Sequence, residues 1–344
     1  MTRHKYLIIL AITVLTIGGW LVNFDSSTGY IRNLFSNLYT RTIVSSSLAA
    51  ENQLKNKNVK VLGVPADAVD SREVVGLPVD VLMPELTGEV APETITTTAA
   101  SALLMDEESG KILYSKDSDK IHSIASITKL FTAMVFLDFN PGWDTYYQIK
   151  KTDRRDGGKV FVWAGEKLTV NDLFHLSLVA SGNTETLALV NSTGLGEELF
   201  VKKMNEKAKE LGLKNTVFRD PVGLSEENVS TAREIAQFAK IALARPEITN
   251  AVKLSKWKFS TKSGRKAVVS STDEMLEDTL KCDAKVLGGK TGFNYSAGYC
   301  FVGKFENNEN QRLISIILGE TSKASRFTET EKLVGWAYDN YHWQ

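Results

Sequence analysis

With 344 residues, 43% hydrophobic and 24% charged, the chain has an ordinary globular composition, enough for one large domain or two small ones. Its 41 basic and 41 acidic residues balance to a formal net charge of zero, which argues against a nucleic-acid partner and against a polybasic membrane patch. The four histidines show no H-E-x-x-H or other zinc spacing, and the two cysteines, Cys282 and Cys300, read as separate buried thiols that an oxidising compartment would allow to pair.

Arg3, His4 and Lys5 precede an apolar run from Tyr6 to Val22, interrupted by Thr13, Thr16 and Gly18-Gly19. The run is slightly shorter than the roughly 20 residues of a spanning helix but within the tolerated range. Its basic flank places the N-terminus in the cytoplasm. Residues 1–24 therefore read as a membrane anchor, with a cleaved signal peptide as the alternative. Asn23-Phe24-Asp25 is a poor cleavage site, and Ser47-Leu48-Ala49 is a more distant one. Either reading exports the rest of the chain from the cytoplasm. Residues 25–95 read as an extracytoplasmic tether. Four of the seven prolines (Pro65, Pro78, Pro84 and Pro92) oppose continuous helix or central strand there.

A folded domain is expected over 96–344. Ala99–Met105 and Lys111–Ser115 flank the turn Asp106–Gly110 as a β-hairpin. Helices are expected over Ser126–Phe136, Val170–Val190, Gly196–Leu211, Thr231–Ala244 (stopped before Pro246) and Phe327–Tyr341. Val286–Gly289, Gly298–Lys304 and Arg312–Leu318 read as adjacent antiparallel strands. This order, strands then helices then strands then helix, predicts an α/β domain in which an antiparallel sheet is flanked by helices and carries a helical insertion.

Three short motifs stand in this frame: Ser126-Ile127-Thr128-Lys129, Ser181-Gly182-Asn183 and Lys290-Thr291-Gly292. Each is weak alone. S-x-x-K is expected once or twice by chance in a chain of about this length, and Ser255–Lys258 and Ser263–Lys266 also fit it. Three apart on a helix, Ser126 and Lys129 share a face. A serine hydroxyl needs a base, and lysine serves when burial or a nearby positive charge keeps it neutral; Lys290 is a candidate for that charge. The bland alternative is a capping serine with a solvated lysine. Ser181-Gly182-Asn183 reads as a turn, or as a proton relay (Ser181) beside a group that orients Lys129 and the substrate amide (Asn183). Lys290 and Thr291 on an edge strand suit a carboxylate, and Gly292 leaves room for a substrate backbone; a tight hairpin with an incidental lysine is the alternative.

In order, the three motifs match the S-x-x-K, S-x-N and K-T-G set of penicillin-binding proteins and class A β-lactamases. Their flanks resemble the low-molecular-mass penicillin-binding proteins of the D-alanyl-D-alanine carboxypeptidase family. The matching segments are Ala99–Asp106 with Gly110–Tyr114, Ala125–Met134, Asn215–Phe218, Asp220–Leu224, Ser230–Ala232 and Gly289–Cys300. The resemblance runs from about Ala99 to Tyr338 and implies a β-lactamase/transpeptidase-like fold. It also implies a serine-type D-Ala-D-Ala carboxypeptidase acting on peptidoglycan stem peptides, acylated by β-lactams and using neither metal nor organic cofactor. By the same resemblance Ser126 is the nucleophile, Lys129 the base, Ser181 the relay and Asn183 a positioner. Lys290 and Thr291 hold the terminal carboxylate, and the N–H groups of Ser126 and Phe293 form the oxyanion hole. Arg326 supports the carboxylate, or else forms a surface ion pair.

Three departures stand out. Asp273 occupies a position where the family usually has asparagine, Val222 replaces a polar residue, and the chain stops soon after the catalytic domain. Because the family's D,D-endopeptidases share the shorter layout, cleavage of cross-links is the alternative function. A β-lactamase fits less well, since no Glu followed four residues on by Asn is evident between Ser181 and Lys290. A catalytically silent wall-binding protein would have no need of all three motifs.

Overall fold

The computed structural model describes residues 81–87, 95–277 and 280–344. The apolar run Tyr6–Val22 and the tether up to residue 80 lie outside the described residues. Among those described, no helix is long and apolar enough to cross a membrane.

Five strands form the central antiparallel sheet: β1 (Ser101–Asp106), β2 (Ile112–Lys116), β3 (Ala284–Asn294), β4 (Gly298–Asn307) and β5 (Arg312–Glu320). Their spatial order is β3-β4-β5-β1-β2, so β3, which carries Lys290-Thr291-Gly292, is an edge strand. Strand β1 is buried along its whole length because the sheet is covered on both faces. Successive residues alternate between the two covers. Leu103, Met105, Ile314, Ile316 and Leu318 join a core shared with the helices between the hairpin and β3. Ala102, Leu104, Leu313 and Ile317 join a second core under the C-terminal helix.

The helices are α1 (Thr128–Leu137), α2 (Val170–Leu178), α3 (Asn183–Ser192), α4 (Gly196–Glu210), α5 (Ala232–Ala242), α6 (Pro246–Val252) and α7 (Ser325–Asn340). A 3-10 turn over Ala125–Ile127 leads into α1, whose residues Thr128–Phe136 are all buried. That makes α1 the central helix of the larger core, apolar beyond its start except for Thr132, whose hydroxyl donates to Pro221 O.

Three expectations are corrected. The helix read over Val170–Val190 is two helices, because the chain reverses through Ser181 at φ 56° and restarts at Asn183. Pro246 does not merely stop a helix; it opens α6 at the first turn, where its missing N–H costs nothing. Pro84–Leu86, placed by sequence in the tether, pairs antiparallel with Tyr341–Trp343 at the end of the chain. A hairpin of Lys256–Ser260 and Lys266–Ser270 also went unread, and it holds both decoy lysines, Lys258 and Lys266. Cys282 and Cys300 are both free thiols.

Candidate active site

Ala125 sits at φ 45° immediately before Ser126, and Ser181 at φ 56°. Left-handed conformations cost a non-glycine residue roughly 1–2 kcal/mol, so both positions are strained where the chemistry is expected. Two glycines let other segments close in on the serine turn. A Cβ on Gly223, itself at φ +88°, would lie 2.0 Å from Ala125 O. One on Gly292 would lie 2.9 Å from Ile124 O. Gly292 was expected to make room for substrate; the backbone that occupies the space is the chain's own nucleophile turn.

Lys129 is completely buried, and its Nζ reaches three acceptors: Ser126 Oγ at 2.8 Å, Asn183 Oδ1 at 2.8 Å and Val222 O at 2.6 Å. Burial brings its pKa down to about 7, partly offset by the Asp220 and Glu185 carboxylates. When neutral, Lys129 keeps its two N–H bonds to Asn183 and Val222 and turns its lone pair toward Ser126. The same cage thus suits both proton states, as a general base requires.

The cage is braced from behind. Asp220 Oδ1 accepts from the N–H groups of Val222 (2.7 Å) and Gly223 (2.6 Å), and Oδ2 from Ser225 (2.6 Å). This Asx-type turn aims Val222 O at Lys129. Asn183 Nδ2 donates to Asp156 O at 3.2 Å and to Gly157 O, so its amide nitrogen is committed to the chain rather than free for substrate. Glu185, in the first turn of α3, folds back toward Gly182; a Cβ there would lie 2.2 Å from its Oε2. Its Oε1 accepts from Phe161 N at 3.2 Å, and burial raises its pKa to about 6.

Ser181 departs from expectation. Its Oγ accepts from Lys290 Nζ at 2.8 Å, not from Lys129. Lys290 is buried too and also donates to Thr291 O at 3.0 Å. Its pKa lies well below the ordinary lysine value, through burial first and then the charges of Lys129 and Arg326. Of the two causes the sequence allowed for a neutral Lys129, burial is the one that lowers it, while its repulsion with the candidate charge Lys290 lowers Lys290. Thr291 Oγ1 donates to Thr272 Oγ1 at 2.6 Å. Arg326 is buried rather than in a surface ion pair: Nη1 approaches Gly292 O at 3.4 Å, and its guanidinium carbon lies 4.6 Å from the Phe327 ring centroid. Phe293 follows on the edge strand and is half exposed.

The structure thus brings Ser126, Lys129, Ser181, Asn183, Lys290, Thr291, Gly292 and Arg326 to one place. Sequence reasoning missed Val222 O and Gly223 as working parts, although Asp220-Pro221 followed by Gly223 is a turn signal. Val222 is unremarkable as a replacement for a polar side chain, since its carbonyl does the holding. Among the described residues, no group of three or more His, Cys, Asp or Glu is placed to hold a metal.

Comparison with known proteins points the same way. The D-alanyl-D-alanine carboxypeptidase family matches residues 88–322. D-alanyl-D-alanine carboxypeptidase DacF of Bacillus subtilis is 32% identical over 266 residues, which are 74% of this chain and 64% of that protein. The chain thus spans less than two thirds of that relative's length. A D-alanyl-D-alanine endopeptidase of Pseudomonas aeruginosa is 32% identical over 250 residues, 69% of this chain and 76% of the relative. The crystal structure of a D-alanyl-D-alanine carboxypeptidase from Mycobacterium tuberculosis superposes with a TM-score of 0.67 at 25% identity, covering 74% of this chain and 96% of that one.

Proposed function

Because the chain belongs to the D-alanyl-D-alanine carboxypeptidase family, we propose that it is a serine-type carboxypeptidase that removes the terminal D-alanine from peptidoglycan stem peptides. The observation that carries this reading is the caged Lys129, buried and within 2.8 Å of Ser126 Oγ. Ser126 attacks the carbonyl of the penultimate D-alanine while its proton passes to Lys129. The oxyanion is held by the N–H groups of Ser126 and Phe293. Lys290, Thr291 and Arg326 hold the terminal carboxylate. As the intermediate collapses, the proton that Lys129 took from Ser126 is returned to the leaving amine through Ser181, whose Oγ is held by Lys290. Water then hydrolyses the ester on Ser126 and frees the shortened stem. A β-lactam, carrying both a carboxylate and a strained amide, acylates the same serine.

A second reading, D,D-endopeptidase, has the support that endopeptidases of comparable identity are among the relatives. The chemistry is the same, with a longer group leaving. The apolar run Tyr6–Val22 behind Arg3, His4 and Lys5 supports a further part of the reading: the enzyme sits on the outer face of the cytoplasmic membrane, held by its N-terminus. Fractionation of cells expressing the chain with and without residues 1–24 tests the tether.

The activity is tested by incubating the protein with pentapeptide muropeptides and with cross-linked dimers, using Ser126→Ala as control. Free D-alanine that disappears in the variant supports the carboxypeptidase. Dimer cleavage without D-alanine release supports the endopeptidase. No change in either substrate would sink both.

A further inference from the structure

Beside the carboxylate clamp lies a loop, Ser271–Asp273, that the mechanism above does not use. Thr272 ties it down on two sides, accepting from Thr291 Oγ1 and donating its N–H to Val179 O at 3.0 Å, two residues before Ser181. Asp273 follows, only 3% exposed. Its Oδ1 caps the short turn Glu274–Leu276 by accepting from Met275 N at 3.1 Å. Its Oδ2 is buried with no hydrogen-bond partner. Across the clamp, Arg326 Nε is likewise buried without a partner. A buried carboxylate oxygen and a buried guanidinium donor within each other's field, both unpartnered, are each costly, by about 1–3 kcal/mol. Unpartnered polar atoms of this kind suit a place where a ligand's charge arrives and leaves.

We propose that Asp273 is the resident counter-anion of the Arg326–Lys290 clamp and competes with the substrate's terminal carboxylate for it, so that substrate binding takes up one proton at Asp273. This rests on the carboxypeptidase reading, which assigns the clamp its ligand. With Asp273 ionised, an incoming carboxylate meets a like charge in a buried site. With Asp273 protonated, the clamp presents its positive charge alone. The proton has a route: a cleft of about 270 Å³ lined by Ser255, Ser270, Ser271, Asp273, Glu274 and Glu277 opens beside the carboxyl.

The surrounding charges set the working range. Burial pushes the Asp273 carboxyl up to about 7, opposed by Arg326 of α7 and Lys290 of β3 and reinforced by neighbouring Glu274. Glu274 is paired with Lys323, and Glu277 lies 3.4 Å from Lys256, both in solvent-exposed pairs. The sign follows. Below about pH 7 Asp273 is neutral and the clamp open; above it the carboxylate forms and substrate affinity falls. Lys290 titrating in place of Asp273 would also weaken binding as pH rises, so the test must separate the two.

KM for a peptide ending in D-Ala-D-Ala, followed by D-alanine release, should rise about tenfold from pH 6 to pH 8 in the wild-type protein, as expected for one group with a pKa near 7. In the isosteric, neutral variant Asp273→Asn, KM should stay flat over that range, the change falling on KM rather than kcat. Binding of the same peptide to Ser126→Ala protein, measured calorimetrically in buffers of different ionisation enthalpy at pH 8, should take up close to one proton. A wild-type pH slope in Asp273→Asn, or no proton uptake in the calorimeter, overturns the proposal alone. Absence of both D-alanine release and β-lactam labelling of Ser126 at every pH overturns the carboxypeptidase reading and this proposal with it.

Discussion

The two halves of the site are built to opposite standards. In the acylation corner the groups that touch the base are bonded, although Glu185 Oε2 behind them is buried without a partner: Lys129 has three acceptors, Asn183 bonds at both ends of its amide, and Asp220 gathers the N–H groups of Val222, Gly223 and Ser225. In the clamp, Lys290 and Thr291 are hydrogen-bonded, but the Arg326 guanidinium makes one long hydrogen bond, to Gly292 O at 3.4 Å, and its Nε and Asp273 Oδ2 go unpartnered. The difference follows from what each half does between turnovers. A base must hold one geometry and a poised proton while the site is empty, so its surroundings are saturated. A binding subsite gains affinity from donors left unsatisfied until the ligand's oxygens arrive.

Breaking the saturated half should have the largest effects. Ser126→Ala abolishes β-lactam labelling, and Lys129→Ala lowers D-alanine release on the order of 10³- to 10⁴-fold, at the upper end of what a positioned base supplies. A labelled β-lactam reads the first, and a stopped assay of D-alanine release from stem pentapeptide the second. A Lys129→Ala protein that retained more than a tenth of the activity would show that another group takes the serine's proton.

Next comes the packing that shapes the corner. Gly223→Ala drives a Cβ into Ala125 O, which cannot give way without moving the nucleophile turn. Misplacement by about 1 Å costs around 10²-fold in rate. Gly264→Ala is the matched control, since it also has a positive φ but open space around its Cβ. It should lose about 1 kcal/mol of stability in a denaturant titration and keep its acylation rate. Equal rates in the two variants would mean that the turn does not depend on this contact.

A smaller effect sharpens the proton account. Lys129 must be neutral to act, and burial sets its pKa at about 7, so kcat should climb as pH rises through 7. The Glu185 carboxylate favours the charged lysine. Glu185→Gln should therefore move that acid limb to lower pH, by less than about one unit. A shift to higher pH, or none, would mean that Glu185 serves only to fold α3 back over Gly182.

Much of this was legible before any coordinates. The hairpin, the three late strands and the C-terminal helix announced themselves through apolar periodicity and turn residues, and the three motifs named most of the side chains that meet. What stayed hidden shares one physical cause. Val222 acts through a carbonyl, Gly157 holds Asn183 through a carbonyl, and Ser181 reverses the chain by its backbone angle, and none of these leaves a side-chain signature. The partner of Ser181 was misread for a related reason: sequence spacing cannot say which of two lysines a hydroxyl faces.

The smallest prediction tests that distinction between backbone and side chain directly. Val222 is buried, and its carbonyl is what accepts from Lys129. Val222→Thr keeps the volume and the branched Cβ but buries a hydroxyl, which costs about 1–3 kcal/mol in stability if it finds no partner. The carbonyl stays where Asp220 aims it, because Asp220 holds backbone N–H groups and not the side chain. Acylation by a β-lactam, followed as a second-order rate, should then fall within about twofold of wild type even as the unfolding midpoint drops. A tenfold loss of rate at unchanged stability would mean that the side chain at 222 reaches the reaction after all, and that its departure from the usual polar residue has a catalytic consequence.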